Sequence, residues 1–237
     1  MKFFISFFFA FFLFSLPARA DQLADATAAF ARQDYKTAFN LIQPLAKAGD
    51  GNAQLALGIF YYYGLHVKQD YAEAIKLWRP LADKKNPRAE YVMGGLYLAG
   101  NGVPADNLKA FEYFRAAGDL GYDEAQMAVC SFYFNGMGTK RNWTEAIKWC
   151  RKAADQGNDL AMLFLGNLYR NGYGVEKSDA ESYYWYRLGI TASEKNLTPE
   201  QKAAVDKRIA EWKPTPTAVT TESHEKKWIP APDMKKP

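Results

Sequence analysis

Apolar and small residues return along this chain with one long period, and inside each period they fall at helical spacing. The sequence Ala53-x-x-x-Leu57-Gly58-x-x-Tyr61-x-x-Gly64 recurs as Ala89, Met93, Gly94, Tyr97 and Gly100, as Ala125, Val129, Cys130, Tyr133 and Gly136, and as Ala161, Leu165, Gly166, Tyr169 and Gly172. The period is 36 residues, and four frames agree without insertion or deletion. A fixed period of about 20 to 50 residues marks a stacked array of supersecondary units. Positions i, i+4 and i+8 place Ala, Leu and Tyr along one side of a helix, here called A. The glycine-type position beside them is expected to let another backbone come close. Helix A closes at glycines such as Gly100 and Gly172, which accept the left-handed conformation of a C-cap.

Polar positions mark the start of a second helix, B. Asp34, Asp70, Asp106, Asn142 and Ser178 are spaced by 36 and are all N-capping residue types. Glu73, Glu145 and Glu181 follow three residues later, which predicts capping boxes. Helix B carries stripes such as Ala74, Leu77, Trp78 and Leu81, or Ala110, Tyr113, Phe114 and Ala117, mixing small residues with aromatics so that neighbours interlock. One period earlier, Ala38, Leu41, Ile42, Leu45 and Ala46 outline a degenerate repeat. Pro44 and Pro80 fall inside predicted B helices and predict a kink or an early break. Thr198-Pro199-Glu200-Gln201 starts a last helix, and the prolines from Pro214 onward predict a flexible tail.

These signals divide the chain into a leader at 1–20, a degenerate repeat at 21–52, repeats at 53–88, 89–124, 125–160 and 161–196, a capping helix at 197–212 and the tail at 213–237. The expected class is all-α: an α/α superhelical solenoid of about five helix-turn-helix repeats with a C-terminal capping helix.

The composite pattern A-x-x-x-L-G-x-x-Y-x-x-G-x-G-V-x-x-D-x-x-x-A-x-x-W-Y-x-x-A-A-x-x-G resembles the Sel1-like repeat, a relative of the tetratricopeptide repeat, and covers most of residues 21–193. It departs from that pattern at His66 for the second glycine, Thr139 for Val, Cys130 for Gly and Ser182 for the helix B Ala. The resemblance implies a non-enzymatic adaptor for protein complexes, in bacteria often exported. If the tetratricopeptide arrangement transfers, a partner binds the concave helix A surface. Its lining then includes Asn52, Leu55, Ile59, Arg88, Tyr91, Leu98, Glu124, Met127, Leu163 and Phe164, and above all Tyr62, Tyr63, Phe134, Asn135, Asn167, Arg170 and Asn171. For Leu55, Tyr91, Met127 and Leu163, packing between helices is an equal alternative. Some cysteine-rich relatives bind or hydrolyse β-lactams, so a β-lactam- or peptidoglycan-directed protein is the alternative reading.

The first twenty residues add a compartment. Lys2, the apolar run Phe3 to Leu16 and Ala18-Arg19-Ala20 read as a signal peptide cut after Ala20, which predicts a periplasmic or secreted protein with no stable membrane insertion after cleavage. Of the formal charge of +4, Lys2 and Arg19 carry two, leaving +2 on the chain from Asp21 and no case for nucleic acid. In an oxidising compartment Cys130 on helix A and Cys150 on helix B are expected to pair; two buried free thiols are the alternative.

Candidate chemistry is thin. The one S-x-x-K, Ser223 to Lys226, lies in the tail without the companion motifs of a penicillin-binding enzyme. Gly136-Met137-Gly138-Thr139-Lys140 lacks phosphate-loop spacing. His66 and His224 are the only histidines, so neither a metal centre nor a His-based triad is expected, and no cofactor.

Overall fold

The computed structural model describes residues 15–189 and 198–211, with side chains from Gln22 onward. The tail and most of the leader, with Ser223, His224 and Lys226, lie outside the described residues. Among those described there are eleven helices and no strand: α1 Ser15–Ala31, α2 Tyr35–Lys47, α3 Gly51–Tyr63, α4 Tyr71–Asp83, α5 Pro87–Ala99, α6 Asn107–Asp119, α7 Asp123–Asn135, α8 Trp143–Asp155, α9 Asp159–Asn171, α10 Asp179–Leu188 and α11 Pro199–Glu211. The chain is an all-α solenoid of consecutive helix pairs, in which α3, α5, α7 and α9 are A helices and α2, α4, α6, α8 and α10 are B helices. It divides into two compact units, residues up to Leu81 and residues from Ala82 onward.

All five predicted B caps form. Side-chain oxygens of Asp34, Asp70, Asp106, Asn142 and Ser178 accept from the backbone N–H three residues on, at 3.0–3.1 Å. The reciprocal half of the capping box does not form at the B helices. There the backbone N–H of Asp70, Asp106, Asn142 and Ser178 donates to the carbonyls of Tyr61, Tyr97, Tyr133 and Tyr169, at 2.8–3.0 Å. The cap amide thus satisfies an orphan carbonyl at the end of helix A and fixes the turn of each hairpin. Glu73 and Glu145 instead pair with Lys76 and Lys148, and Glu181 with Arg208. A reciprocal box does form at Thr198 and Gln201, opening α11. Helix A has side-chain caps of its own at Asp50, Asn86 and Asn158, which the periodicity argument did not single out.

Pro44 and Pro80 break neither helix: α2 and α4 run 13 residues, as α6 and α8 do. Both prolines are exposed and near the C-terminal end, and the carbonyls they leave without helical donors belong to Asn40 and Lys76, residues that are themselves exposed.

The glycine-type position of helix A also works differently from expectation. It does not admit a second backbone; it admits an aromatic side chain from helix B of the same repeat. A Cβ at Gly58 would overlap the Trp78 indole, one at Gly94 would lie 2.7 Å from the Phe114 ring, and one at Gly166 2.9 Å from Tyr186. Trp78 Nε1 donates to the Leu55 carbonyl at 3.0 Å, so the indole is satisfied where it is buried. In the third repeat this pair of positions holds Cys130 and Cys150, joined as a disulfide with Cα atoms 5.2 Å apart.

In the first unit the core is built by Ala26, Ala29 and Phe30 of α1, Ala38, Phe39 and Ile42 of α2, and Ala53, Leu57 and Phe60 of α3. Phe60 meets Phe30 and Phe39 edge-on at 5.7 and 5.6 Å. In the second unit each helix from α5 to α11 packs on the next. The α7–α8 loop is drawn against helix α6, because a Cβ at Gly138 would overlap the Asn107 backbone; likewise one at Gly174 would lie 2.8 Å from Trp143. Helix α11 closes the unit with buried Val205, the Arg208–Glu181 ion pair at 2.7 Å, and Arg208 4.0 Å over the Tyr184 ring.

Candidate functional site

The residues singled out as partner contacts sit at the C-terminal ends of A helices. In the first unit, Tyr62 and Tyr63 end α3, with ring centroids 4.7 Å apart. Tyr62 also lies 5.3 Å from Tyr71 and 5.9 Å from Trp78. It is half-buried, with Gln69 Nε2 donating to its carbonyl at 2.8 Å.

In the second unit, Asn135, Asn167, Arg170 and Asn171 are exposed. Asn135 Nδ2 donates to the Ser131 carbonyl and Asn171 Nδ2 to the Asn167 carbonyl, one turn back on their own helices. That leaves both side-chain oxygens directed to neither carbonyl and free to accept from a ligand. Phe134 is brought into an aromatic cluster, edge-on to Phe164 at 5.1 Å and to Tyr173 at 5.6 Å, with Trp143 at 6.3 Å. Trp143 and Tyr173 lie 5.0 Å apart and each leaves more than a third of its surface in water. Neither was singled out from the sequence. The available signal was a large aromatic at the first helical position after the Asn142 cap, where few apolar contacts exist.

Other residues from the expected groove are packed inside the repeats. Leu55 is buried, Tyr91 stands against Phe114 at 5.4 Å, and the Met127 sulfur contacts Cys150 Sγ at 3.9 Å. Leu163 faces Gly189 at the end of α10.

The strongest electrostatics lie at the other end of helix A. Asp123 is buried, with Oδ2 accepting from Asn158 Nδ2 at 3.0 Å, while its Oδ1 and the Glu124 Oε2 are buried without a hydrogen-bond partner. Burial first, and then the adjoining Asp123 carboxyl, push Glu124 up to about 8, against the opposing pull of Arg88. One proton shared between the two carboxyl groups would satisfy both orphaned oxygens. Burial also pushes the Tyr122 phenol well up. Burial thus favours the neutral form of Glu124 at this end of the helix, where the Tyr91 and Tyr122 rings lie 5.2 Å apart. Among the described residues no group of three or more His, Cys, Asp or Glu is placed to hold a metal ion.

Comparison with known proteins places this geometry. The Sel1 repeat family model matches residues 51–86, 87–122, 123–158 and 159–193. A protective antigen of uropathogenic Escherichia coli displaying an SLR fold is similar in structure, with TM-score 0.65 and 34% identity over 73% of this chain. This chain spans only 38% of that protein's length. A Sel1 repeat protein from Oxalobacter formigenes matches with TM-score 0.63 and 24% identity, over 87% of this chain and 86% of the other, and bears on the fold alone. Comparison with curated proteins returns no match.

Proposed function

The chain belongs to the Sel1 repeat family, and from that membership we propose that it is an exported scaffold that holds a partner protein on side chains at the C-terminal ends of its A helices. Sel1 repeat proteins mediate protein–protein interaction, and the family is typically non-enzymatic. The observation that carries the proposal is the exposure of Asn135, Asn167, Arg170 and Asn171 beside the Phe134 aromatic cluster, on helices whose opposite sides are packed. Aromatic anchors and arginine on a rigid framework suit protein recognition, because little side-chain entropy is lost on binding. Tyr62 and Tyr63 supply the same chemistry in the first unit.

The signal-peptide pattern and the Cys130–Cys150 bond support a periplasmic or secreted site of action, since structural disulfides persist in oxidising compartments. Among the described residues no helix is long and apolar enough to cross a membrane.

The test is crosslinking pull-down of the full chain from the envelope fraction, with Tyr62→Ala and Arg170→Ala variants that melt like the parent. A discrete captured protein, lost in either variant, is the expected result. Capture unchanged by both substitutions would reject these side chains as the contact. Release of product from labelled peptidoglycan or a β-lactam by the purified protein would replace the scaffold with the enzymatic reading.

A further inference from the structure

We propose that one edge of the second unit, made by the α7–α8 loop, the C-terminus of α9 and the α9–α10 loop, docks an acidic peptide segment that carries an apolar anchor. This rests on the scaffold reading and names the chemistry of the partner.

Two independent observations meet at this edge. The first is apolar surface: Trp143 is 36% and Tyr173 37% exposed, and the two rings touch each other and share Phe134 beneath them. The loop that carries Tyr173 is seated on the start of α8, because the Gly174 backbone packs against the backbone and Cβ of Trp143 so closely that a Cβ would come within 2.8 Å. A prepositioned aromatic pair binds an apolar side chain at low entropic cost.

The second observation is charge. Lys140, Arg141, Arg170 and Lys177 are exposed, and among the described residues no carboxylate pairs with any of them. Elsewhere, Lys76, Lys109, Arg115, Lys148, Arg187 and Arg208 each pair with an acid. Arg141 instead lies 5.3 Å over the Trp143 ring, which leaves its N–H edge for a carboxylate while its face covers the indole. In these segments the single acid is Glu176, so the edge is net positive although the chain from Asp21 carries only +2. Unpaired cations around an exposed aromatic pair complement Asp or Glu flanking one aromatic or aliphatic residue. Nucleic acid fits less well: affinity for it rests on many phosphate contacts, and the aromatic rings here pack on one another instead of offering open faces for bases.

The test is fluorescence anisotropy with the full chain and labelled, end-blocked peptides. One has Asp and Glu around a central Phe, one replaces the acids by Lys, and one replaces Phe by Ala; a labelled single-stranded oligonucleotide completes the set. Binding is expected for the acidic Phe peptide alone, weakening as salt rises and falling about tenfold or more in Lys140→Glu/Arg141→Glu and in Tyr173→Ala. All variants are checked for an unchanged melting temperature; a variant that melts early is replaced by Lys140→Gln/Arg141→Gln or Tyr173→Ser. Equal binding of the Lys peptide, equal binding of the Ala peptide, tighter binding of the oligonucleotide, or affinity unchanged in the variants overturns the proposal. If crosslinking still captures a protein through Arg170 while no peptide binds, the scaffold stands and this assignment falls. If the peptide binds as described but nothing is captured, the reverse holds.

Discussion

At the scale of single residues, the repeat itself supplies the control for each departure from it. Gln54 Nε2 donates to the Ala46 carbonyl at 3.2 Å, and Gln126 Nε2 donates to the Gly118 carbonyl at 3.0 Å, two periods later. The position between them holds Glu90, buried, with Oε2 lacking a partner. A carboxylate cannot donate where the amides do, and burial pushes Glu90 up from the usual carboxylate range. Glu90→Gln restores the donor and is expected to stabilise the protein by about 1 kcal/mol at neutral pH, read by denaturant unfolding. Because the folded state holds the Glu90 proton more tightly than the unfolded chain, native stability falls as pH rises from the unfolded value through the folded one; the gain from Gln therefore grows with pH. An equal gain at pH 4 and pH 8 would reject the protonation account. Glu124 follows the same sign over a wider window, from its ordinary 4.5 to about 8. Glu124→Gln is expected to leave the melting temperature unchanged near pH 4 and to raise it by roughly 5 °C near pH 9.

At the scale of elements, the A–B hairpin is a glycine receiving an aromatic ring, and the third repeat replaces that fit by a covalent bond. Gly58 with Trp78, Gly94 with Phe114 and Gly166 with Tyr186 occupy the positions of Cys130 and Cys150. Reducing the bond is expected to cost about 3 kcal/mol, the usual figure for a loop of this size. Cys130→Gly with Cys150→Phe is expected to recover more than half of that loss, whereas Cys130→Ala with Cys150→Ala leaves a void and recovers little. Thermal unfolding under reductant-free conditions compares the three; equal stability of the two double variants would show that the glycine–aromatic fit is not what the disulfide replaces. Much of this element was legible in the sequence. Period, caps and the closing glycines are local chemistry, so Asp34 to Ser178 and Gly64 to Gly172 are readable one residue at a time. What the glycine faces depends on rotamer and helix crossing, which no linear spacing encodes. For the same reason the reciprocal capping box was expected and is absent: the competing acceptor, the Tyr61-type carbonyl, lies about nine residues upstream and becomes available only once the hairpin has closed. The exposed Trp143–Tyr173 pair belongs to two different repeats and is visible only after they stack.

At the scale of the whole molecule, leader and disulfide make one prediction together. Helix α1 runs from Ser15 to Ala31 and crosses the expected cut after Ala20. Its described anchors, Ala26, Ala29 and Phe30 in the core and the Gln22 amide on the Leu41 carbonyl at 3.1 Å, all lie beyond that cut. Cleavage there would leave these described contacts of α1 with α2 in place. Protein expressed from the full sequence in a bacterium with a periplasm is expected there with Asp21 as its first residue and no thiol titratable until reductant is added. Replacing Ala18 and Ala20 by Leu is expected to block processing, because the peptidase requires small side chains at those positions. An unprocessed amino terminus in the wild-type protein, or two free thiols in the native fraction, would sink the export reading. The three glycine–aromatic hairpins would be untouched by that result, since they need no oxidant to fold; only the Cys130–Cys150 hairpin would lose its bond.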